Sequence, residues 1–472
     1  MNQVDRSVMI GVLIFLILGG PETGNAQPST LPPAPLTLTG AIQFAMDNYP
    51  SVQEALAQLS ARQAGVDLAQ TAYLPRVDLG IQASNATFNN LSGLFFPTSF
   101  IQPLSGADVG RKSFSSTWGS AAGIYLAWEP FDFGLRSANV DTARAGERQS
   151  QAHVVLTKLE VGMAVGEAYL RVIMAHEALK AMQANVRRRQ VFSKTVNALV
   201  AAQLRPGIDL SRAQAELALA HTQLIEGEQL EEVGKATLGE VLGVAGRPLE
   251  LIDPALETLP TFTLSDDPNP SQHPLAVVQK AAIEIPKKRQ EALAQSWVPK
   301  FTVQSALFGR GTGWDAQGNR TDGAEGLLPD VPNWAVGLTA TFSLLDFPSI
   351  RAQERQEHYQ SVAESARYDR LVQTLIGQQL RARTLVTGAK RIAEHTPVQV
   401  KAARDTEIQA RAQFKSGLAT VVEVAEAQRL VVQAFMDDAK ARLGVWRAFM
   451  GLAGAQGDLG KFLDLVKSQP HR

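Results

Sequence analysis

Trp334-Ala335-Val336-Gly337-Leu338-Thr339-Ala340-Thr341-Phe342-Ser343-Leu344 alternates apolar residues with small or polar ones. A period of two sustained over about ten residues, with one face apolar and the other Gly, Thr and Ser, marks a strand in a transmembrane barrel or a half-buried sheet. Working outward, the same alternation recurs three times. Phe301 and Val303 interleave with Thr302 and Gln304; Val77, Leu79 and Ile81 interleave with Asp78, Gly80 and Gln82; Ala122, Ile124, Leu126 and Trp128 complete the set. Strands are therefore predicted at about 76–88, 118–131, 300–309 and 334–345. Each second strand closes at Asp-Phe, in Asp132-Phe133-Gly134 and Asp346-Phe347-Pro348.

The segments around these strands repeat as well. Pro50 opens a helical stretch ending at Tyr73-Leu74-Pro75-Arg76, and Pro274 opens one ending at Trp297-Val298-Pro299-Lys300. Both pairs of prolines are 224 residues apart, so the stretches match without a gap. A proline stops a helix and favours an extended residue before it. After each hairpin comes a helical stretch, Leu135 to about Gln203 and Ile350 to about Lys415, each roughly 100 Å long at the α-helical rise. Each breaks near a glycine, at Arg205-Pro206-Gly207 and Lys415-Ser416-Gly417, then returns as another helix. In the first return Leu210, Leu217, Leu224 and Leu238 share a heptad position, with Ala213, Ala220, Gly227 and Gly234 three residues later and Glu231 interrupting the leucines. Such a pattern predicts coiled-coil packing with close backbones. The chain thus divides into a first repeat (27–246), a linker (247–272), a second repeat (273–454) and a C-terminal tail (455–472).

Residues 1–26 read as a secretory signal peptide. Arg6 precedes an apolar run from Val8 to Leu18, too short to span a bilayer, and Gly24-Asn25-Ala26 offers a small-residue cleavage point. The chain of 472 residues has no cysteine, which excludes disulfides, thiolate metal sites and cysteine nucleophiles. Its 45 Lys and Arg against 46 Asp and Glu give no basic excess for nucleic acid. Four strands cannot close a barrel, since the smallest single-chain barrels use about eight. Strands in lipid must close, so several copies would be needed.

A signal peptide, two repeats of helix, hairpin and paired long helices, strands broken at Tyr73-Leu74-Pro75 and Trp297-Val298-Pro299, and Asp132-Phe133-Gly134 together resemble the TolC family of outer-membrane efflux proteins, from about Leu36 to Gly454. The resemblance implies a mainly α fold with a membrane β-barrel portion. In such a homotrimer four strands per chain build one twelve-stranded barrel over a periplasmic α-helical tunnel. It further implies an outer-membrane channel without catalysis or cofactor. The channel would work with a periplasmic adaptor protein and an inner-membrane RND or ABC pump, in efflux or type I secretion. Lacking any cysteine for a lipid anchor, it would be held among outer-membrane lipids by the barrel alone.

Family positions carry over to four residues. Glu423 and Glu426, sixth and ninth from Gly417, fall on the acidic rings of the pore constriction. Three residues apart on a helix they share a face, and crowding in a trimer would raise some of their pKa values. Asp209 and Arg442 fall on the gate latch, Asp209 only with a four-residue deletion, while its usual partners are replaced by Phe414 and Ala419.

Other candidates are weaker. The seven histidines include no pair at metal-ligand spacing on one helix face. Gly309-Arg310-Gly311-Thr312-Gly313 reads as a loop between strands, and Asp315–Gly323 fails calcium-loop spacing. Arg187-Arg188-Arg189 reads as a solvated helix face. Tyr73, Trp297, Trp128 and Phe342, with Phe95, Phe96, Trp118 and Trp334, suit two interfacial belts. A competing class remains: a periplasmic or surface coiled-coil scaffold whose strands merely cap its helices.

Overall fold

The computed structural model describes residues 32–87, 114–252, 256, 258–262, 269–313 and 324–468. The signal peptide, the end of the first strand at 88, Phe95, Phe96, Asp315–Gly323 and His471 lie outside them.

Helix α1 (Leu38–Asn48) leads into α2 (Pro50–Gln70), and the second repeat opens with α5 (Pro274–Ala294). Proline begins both α2 and α5, at the position where a helical N–H has no partner to lose. Strand β1 (Arg76–Thr87) follows a 3-10 turn at Thr71–Tyr73, and β2 (Ser116–Phe131) returns beside it. In the second repeat β3 (Lys300–Thr312) and β4 (Val331–Thr341) do the same. The four form one antiparallel sheet in the order β1-β2-β3-β4.

Register explains the alternation. Leu79, Ile124, Leu307 and Trp334 form one row across the sheet, and Gln82, Ala121, Arg310 and Val331 form another. Side chains in neighbouring rows point to opposite faces. The apolar face is open, with Ile81 81% and Trp334 79% exposed.

Strand boundaries differ from expectation in β2, which begins at Ser116, and more widely in β3 and β4. β3 continues through Thr312, so Gly309–Thr312 is strand rather than loop. Its alternate glycines admit the returning segment: a Cβ at Gly311 would lie 2.2 Å from Leu328 O, and one at Gly309 2.8 Å from Pro329 O. β4 begins at Val331 and stops at Thr341, and Leu344–Asp346 is a 3-10 turn.

Two helical hairpins extend from the sheet. The first pairs α3 (Leu135–Ala201) with α4 (Gly207–Val241); the second pairs α6 (Phe347–Lys415) with α7 (Val421–Gln456). With 67 and 69 residues, α3 and α6 are each about 100 Å long. On α6 the residues Leu375, Gln379, Val386, Ala393, Thr396, Ala403, Glu407 and Phe414 are buried, all on the a and d positions of one heptad frame. Pro397 interrupts this helix, and Thr396 Oγ1 donates to Ala393 O (3.4 Å), the carbonyl that Pro397 cannot serve.

The main core lies partway along the hairpins, around Trp446, Tyr169, Phe462, Leu38, Leu238 and Leu256. Leu36 forms a parallel bridge with Leu251 in the linker. Tyr169 Oη donates to Leu36 O (2.9 Å), and Trp446 Nε1 donates to Thr258 O (3.0 Å). The segment expected as a C-terminal tail is folded: α7 reaches Gln456, and α8 (Gly460–Ser468) buries Phe462 and Val466. Its apolar residues recur at helical spacing, which lets one face dock.

Candidate functional site: the hairpin tip

The two hairpins turn alike, but not where the glycines suggested. In the second turn Gly417 has φ 78°, Gly417 N donates to Phe414 O and Leu418 N to Gln413 O. This is the left-handed cap that ends many helices. In the first turn Gln203 has φ 59°, Gln203 N donates to Val200 O and Leu204 N to Leu199 O. Gln203 therefore occupies the place of Gly417, and Gly207 is instead the first residue of α4. Arg205 joins the turns. Its Nη2 donates to Ala419 O (3.1 Å) and Phe414 O (3.4 Å), and its guanidinium lies 4.7 Å from the centre of the Phe414 ring. Phe414 meets Phe192 edge-on at 5.2 Å within a small core that includes Val196, Ala213, Val421 and Val424.

Glu423 and Glu426 stand on the first turns of α7, both exposed. Thr420 caps the helix reciprocally: Glu423 N donates to Thr420 Oγ1 (3.3 Å), and Thr420 N donates to Glu423 Oε2 (2.6 Å). These bonds hold the Glu423 carboxyl below its ordinary range. Arg429 grips Glu426 with Nε at 2.8 Å and Nη2 at 2.6 Å, which lowers that carboxyl too. Within one chain both groups are thus shifted downward, opposite to the direction expected from crowding between chains.

The structure does not bring Asp209 and Arg442 together. Asp209 is the third residue of α4, as Glu423 is of α7. Arg442 lies 21 residues into α7, roughly 30 Å up the helix. There Arg442 Nε donates to Asp438 Oδ2 (3.1 Å), and Thr396 Oγ1 donates to Asp438 Oδ1 (2.7 Å). In one chain Asp438 ties α7 to α6, and Arg442 braces that carboxylate from one turn along its own helix.

Arg189 is not a solvated residue: it is 5% exposed, its Nη2 donates to Ala425 O (3.0 Å), and Glu216 Oε2 lies 3.2 Å away. Burial lowers the pKa of Arg188 and Arg189. Side chains from α4, α6 and α7 converge on that stretch of α3, which its charge pattern alone could not reveal.

At the other end of α3 the Asp-Phe-Gly motif makes a knuckle. Phe133 and Gly134 both take positive φ, 52° and 101°. Asp132 accepts from the backbone of Gly134 and Arg136 and from Arg136 Nε (3.0 Å). Arg136 also donates to Ala72 O (3.1 Å) and Glu129 O (2.6 Å) and stacks on Tyr73. Helix, strand and long helix are fixed together there.

Among the described residues no group of three or more His, Asp or Glu converges on a metal position, and no helix is long and apolar enough to cross a membrane. His273 caps α5, accepting from Leu275 N (3.1 Å) at Nδ1.

A family model for "Outer membrane efflux protein" matches residues 41–244 and 288–458. The chain belongs to the outer membrane efflux protein family. Protein CyaE of Bordetella pertussis is 28% identical over 234 residues, covering 47% of this chain and 44% of CyaE; the match thus spans less than half of that relative. The Campylobacter jejuni CmeC outer membrane channel is similar in structure, with TM-score 0.70, 14% identity, and 89% of this chain and 85% of CmeC covered. The outer membrane protein VceC of Vibrio cholerae has TM-score 0.69, 15% identity, and 89% and 96% coverage. Family and fold are those of channel proteins. The family match places this chain among proteins of the outer membrane.

Sequence reasoning missed Gln203, Arg205 and Arg136. Sliding the second repeat by the offset that aligns Ala213-Gln214 with Ala427-Gln428 would have placed Gln203 on Gly417.

Proposed function

We propose that this chain is the outer-membrane exit channel of a tripartite efflux or type I secretion system. It acts as a homotrimer, receiving cargo from a periplasmic adaptor and an inner-membrane RND or ABC pump, and it conducts passively. The observation that carries this reading is the sheet. Its apolar face is open, and β1 and β4 each pair on one side only among the described residues. Lipid tolerates no unpaired backbone edge, so β4 of one copy pairs with β1 of the next until twelve strands close.

The helices below then form the tunnel. Glu423 and Glu426 from three chains ring its tip, favouring cations. The Asp209 and Arg442 latch takes a modified form: Asp209 sits at the tip, whereas Arg442 braces Asp438, which bonds Thr396 across the second hairpin.

Reconstitution into planar bilayers tests this. The expected result is a cation-selective conductance that loses selectivity in Glu423→Gln/Glu426→Gln. A protein that leaves the membrane in a salt wash and conducts nothing would be the coiled-coil scaffold instead.

A further inference from the structure

Roughly 18 Å above the turns, the seam between the hairpins becomes polar. Gln428 is 0% exposed, Arg189 5%, Asn185 6% and Glu407 9%. Asn185 Oδ1, Arg188 Nε and Nη2, Arg189 Nε and Nη1, Glu407 Oε1 and both amide atoms of Gln428 are sealed from solvent without a protein hydrogen-bond partner.

These groups lie at one level. Arg447 bonds Glu167 (2.8 Å) and Arg189 bonds Ala425 O, so α7 descends α3 residue for residue and sets Gln428 level with Val186. The bonds Thr396 to Asp438 and Gln399 to Asp437 likewise set Glu407 level with Gln428. Gln428 also continues the seam positions Val421 and Val424 before Val431. It is a polar residue in a coiled-coil core.

Two other polar intrusions into these hairpins are met by protein groups. Asp438 is satisfied by Thr396 and Arg442, and Glu231 by Lys235 and His176. The layer at Gln428 differs: Arg411 Nη1 stands 3.7 Å from Glu407 Oε1, beyond hydrogen-bond reach, and the donors and acceptors of Asn185, Arg188, Arg189 and Gln428 named above have no protein partner. An anion would serve only the donors and a cation only the acceptors. Water serves both, and buried water characteristically fills such polar sites.

We propose that Asn185, Arg188, Arg189, Glu407 and Gln428 form a built hydration site, whose ordered water fixes the second hairpin on α3 in a single register. A polar core position specifies register in coiled coils, at a cost in stability. Small residues at Ala213, Ala220, Ala427, Ala434 and Ala441 would otherwise let the hairpins settle in alternative registers with similar packing. The consequence reaches the tip. Glu423 and Glu426 lie within two turns of Gln428, and a shift of one residue turns a helix by about 100°. The five residues are thus positioning residues for the carboxylates, a role that rests on the constriction reading above.

The test is Asn185→Leu/Gln428→Leu in the intact channel, with Ser193→Cys and Val421→Cys added as a disulfide probe. The two probe positions are level in the native register, and the parent chain has no cysteine to interfere. The apolar layer is expected to leave the melting temperature unchanged or raised, to at least halve disulfide yield, and to reduce cation selectivity. Unchanged disulfide yield overturns the proposal. So does unchanged selectivity, provided Glu423→Gln/Glu426→Gln alters it; if that control alters nothing, the constriction reading has failed instead, and disulfide yield still decides the register claim. A high-resolution structure of the parent showing water bridging these side chains supports the site. Direct bonds among them, or to a neighbouring subunit, overturn it.

Discussion

Arg205 of the first hairpin turn lies over Phe414 of the second, its guanidinium 4.7 Å from the ring centre. One side chain so placed couples two helical hairpins that the chain connects only through the distant sheet and linker. A cation over an aromatic face and charged hydrogen bonds to two carbonyls contribute roughly 1–2 kcal/mol together after desolvation. Arg205→Ala is expected to speed amide hydrogen exchange over residues 414–421 by about 5- to 30-fold at that energy. Exchange unchanged there would show that the turns are held independently.

Gln203 holds a left-handed conformation that its counterpart Gly417 adopts without strain. A non-glycine residue there costs roughly 1–2 kcal/mol. Gln203→Gly is therefore expected to stabilise the first hairpin by about 1 kcal/mol, allowing for the added entropy of the unfolded chain. Chemical denaturation checks this; a loss of stability would contradict it.

The Asp132–Arg136 knuckle carries a pH signature. Burial pulls the Asp132 carboxyl upward, but the bonds from Arg136 and Gly134 outweigh it and leave its pKa below 3.8. Because the folded value is depressed, this stabilisation is whole above the unfolded pKa and is lost as pH falls through the folded one. Asp132→Ala strands a mostly buried arginine and is expected to cost about 3 kcal/mol at neutral pH. Stability curves of parent and variant should converge below pH 3.8, and parallel curves would refute the assignment.

At the tip, Thr420 and Arg429 hold Glu423 and Glu426 below their ordinary 4.5. Cation selectivity is therefore expected to persist as the pH of the periplasmic side falls to that value, and to fail only below it. Selectivity lost near neutral pH would mean that repulsion between chains dominates the bonds within each.

Much of this was legible in the sequence because local rules governed it. Prolines at 50 and 274 mark helix starts, and alternation marks the apolar face of β4. Helix periodicity likewise marks the seam of α4. What escaped depended on partners distant in sequence. Arg189 looks like its neighbour Arg187 until α4 and α7 enclose it. Gly207, beside a proline, imitated the turn that Gln203 makes. The glycines of β3 looked like a loop because the segment packed against them, Leu328 and Pro329, lies beyond the intervening residues. Arg442 matched a latch position by count, but only the fold shows Asp438 and Thr396 beside it.

Barrel closure as proposed takes three copies, each giving four strands. Native mass spectrometry of the protein extracted from outer membranes in detergent tests it most directly. A twelve-stranded barrel requires a particle of three chains, with no salt-extractable monomer. A stable monomer, or a particle of another copy number, would contradict it.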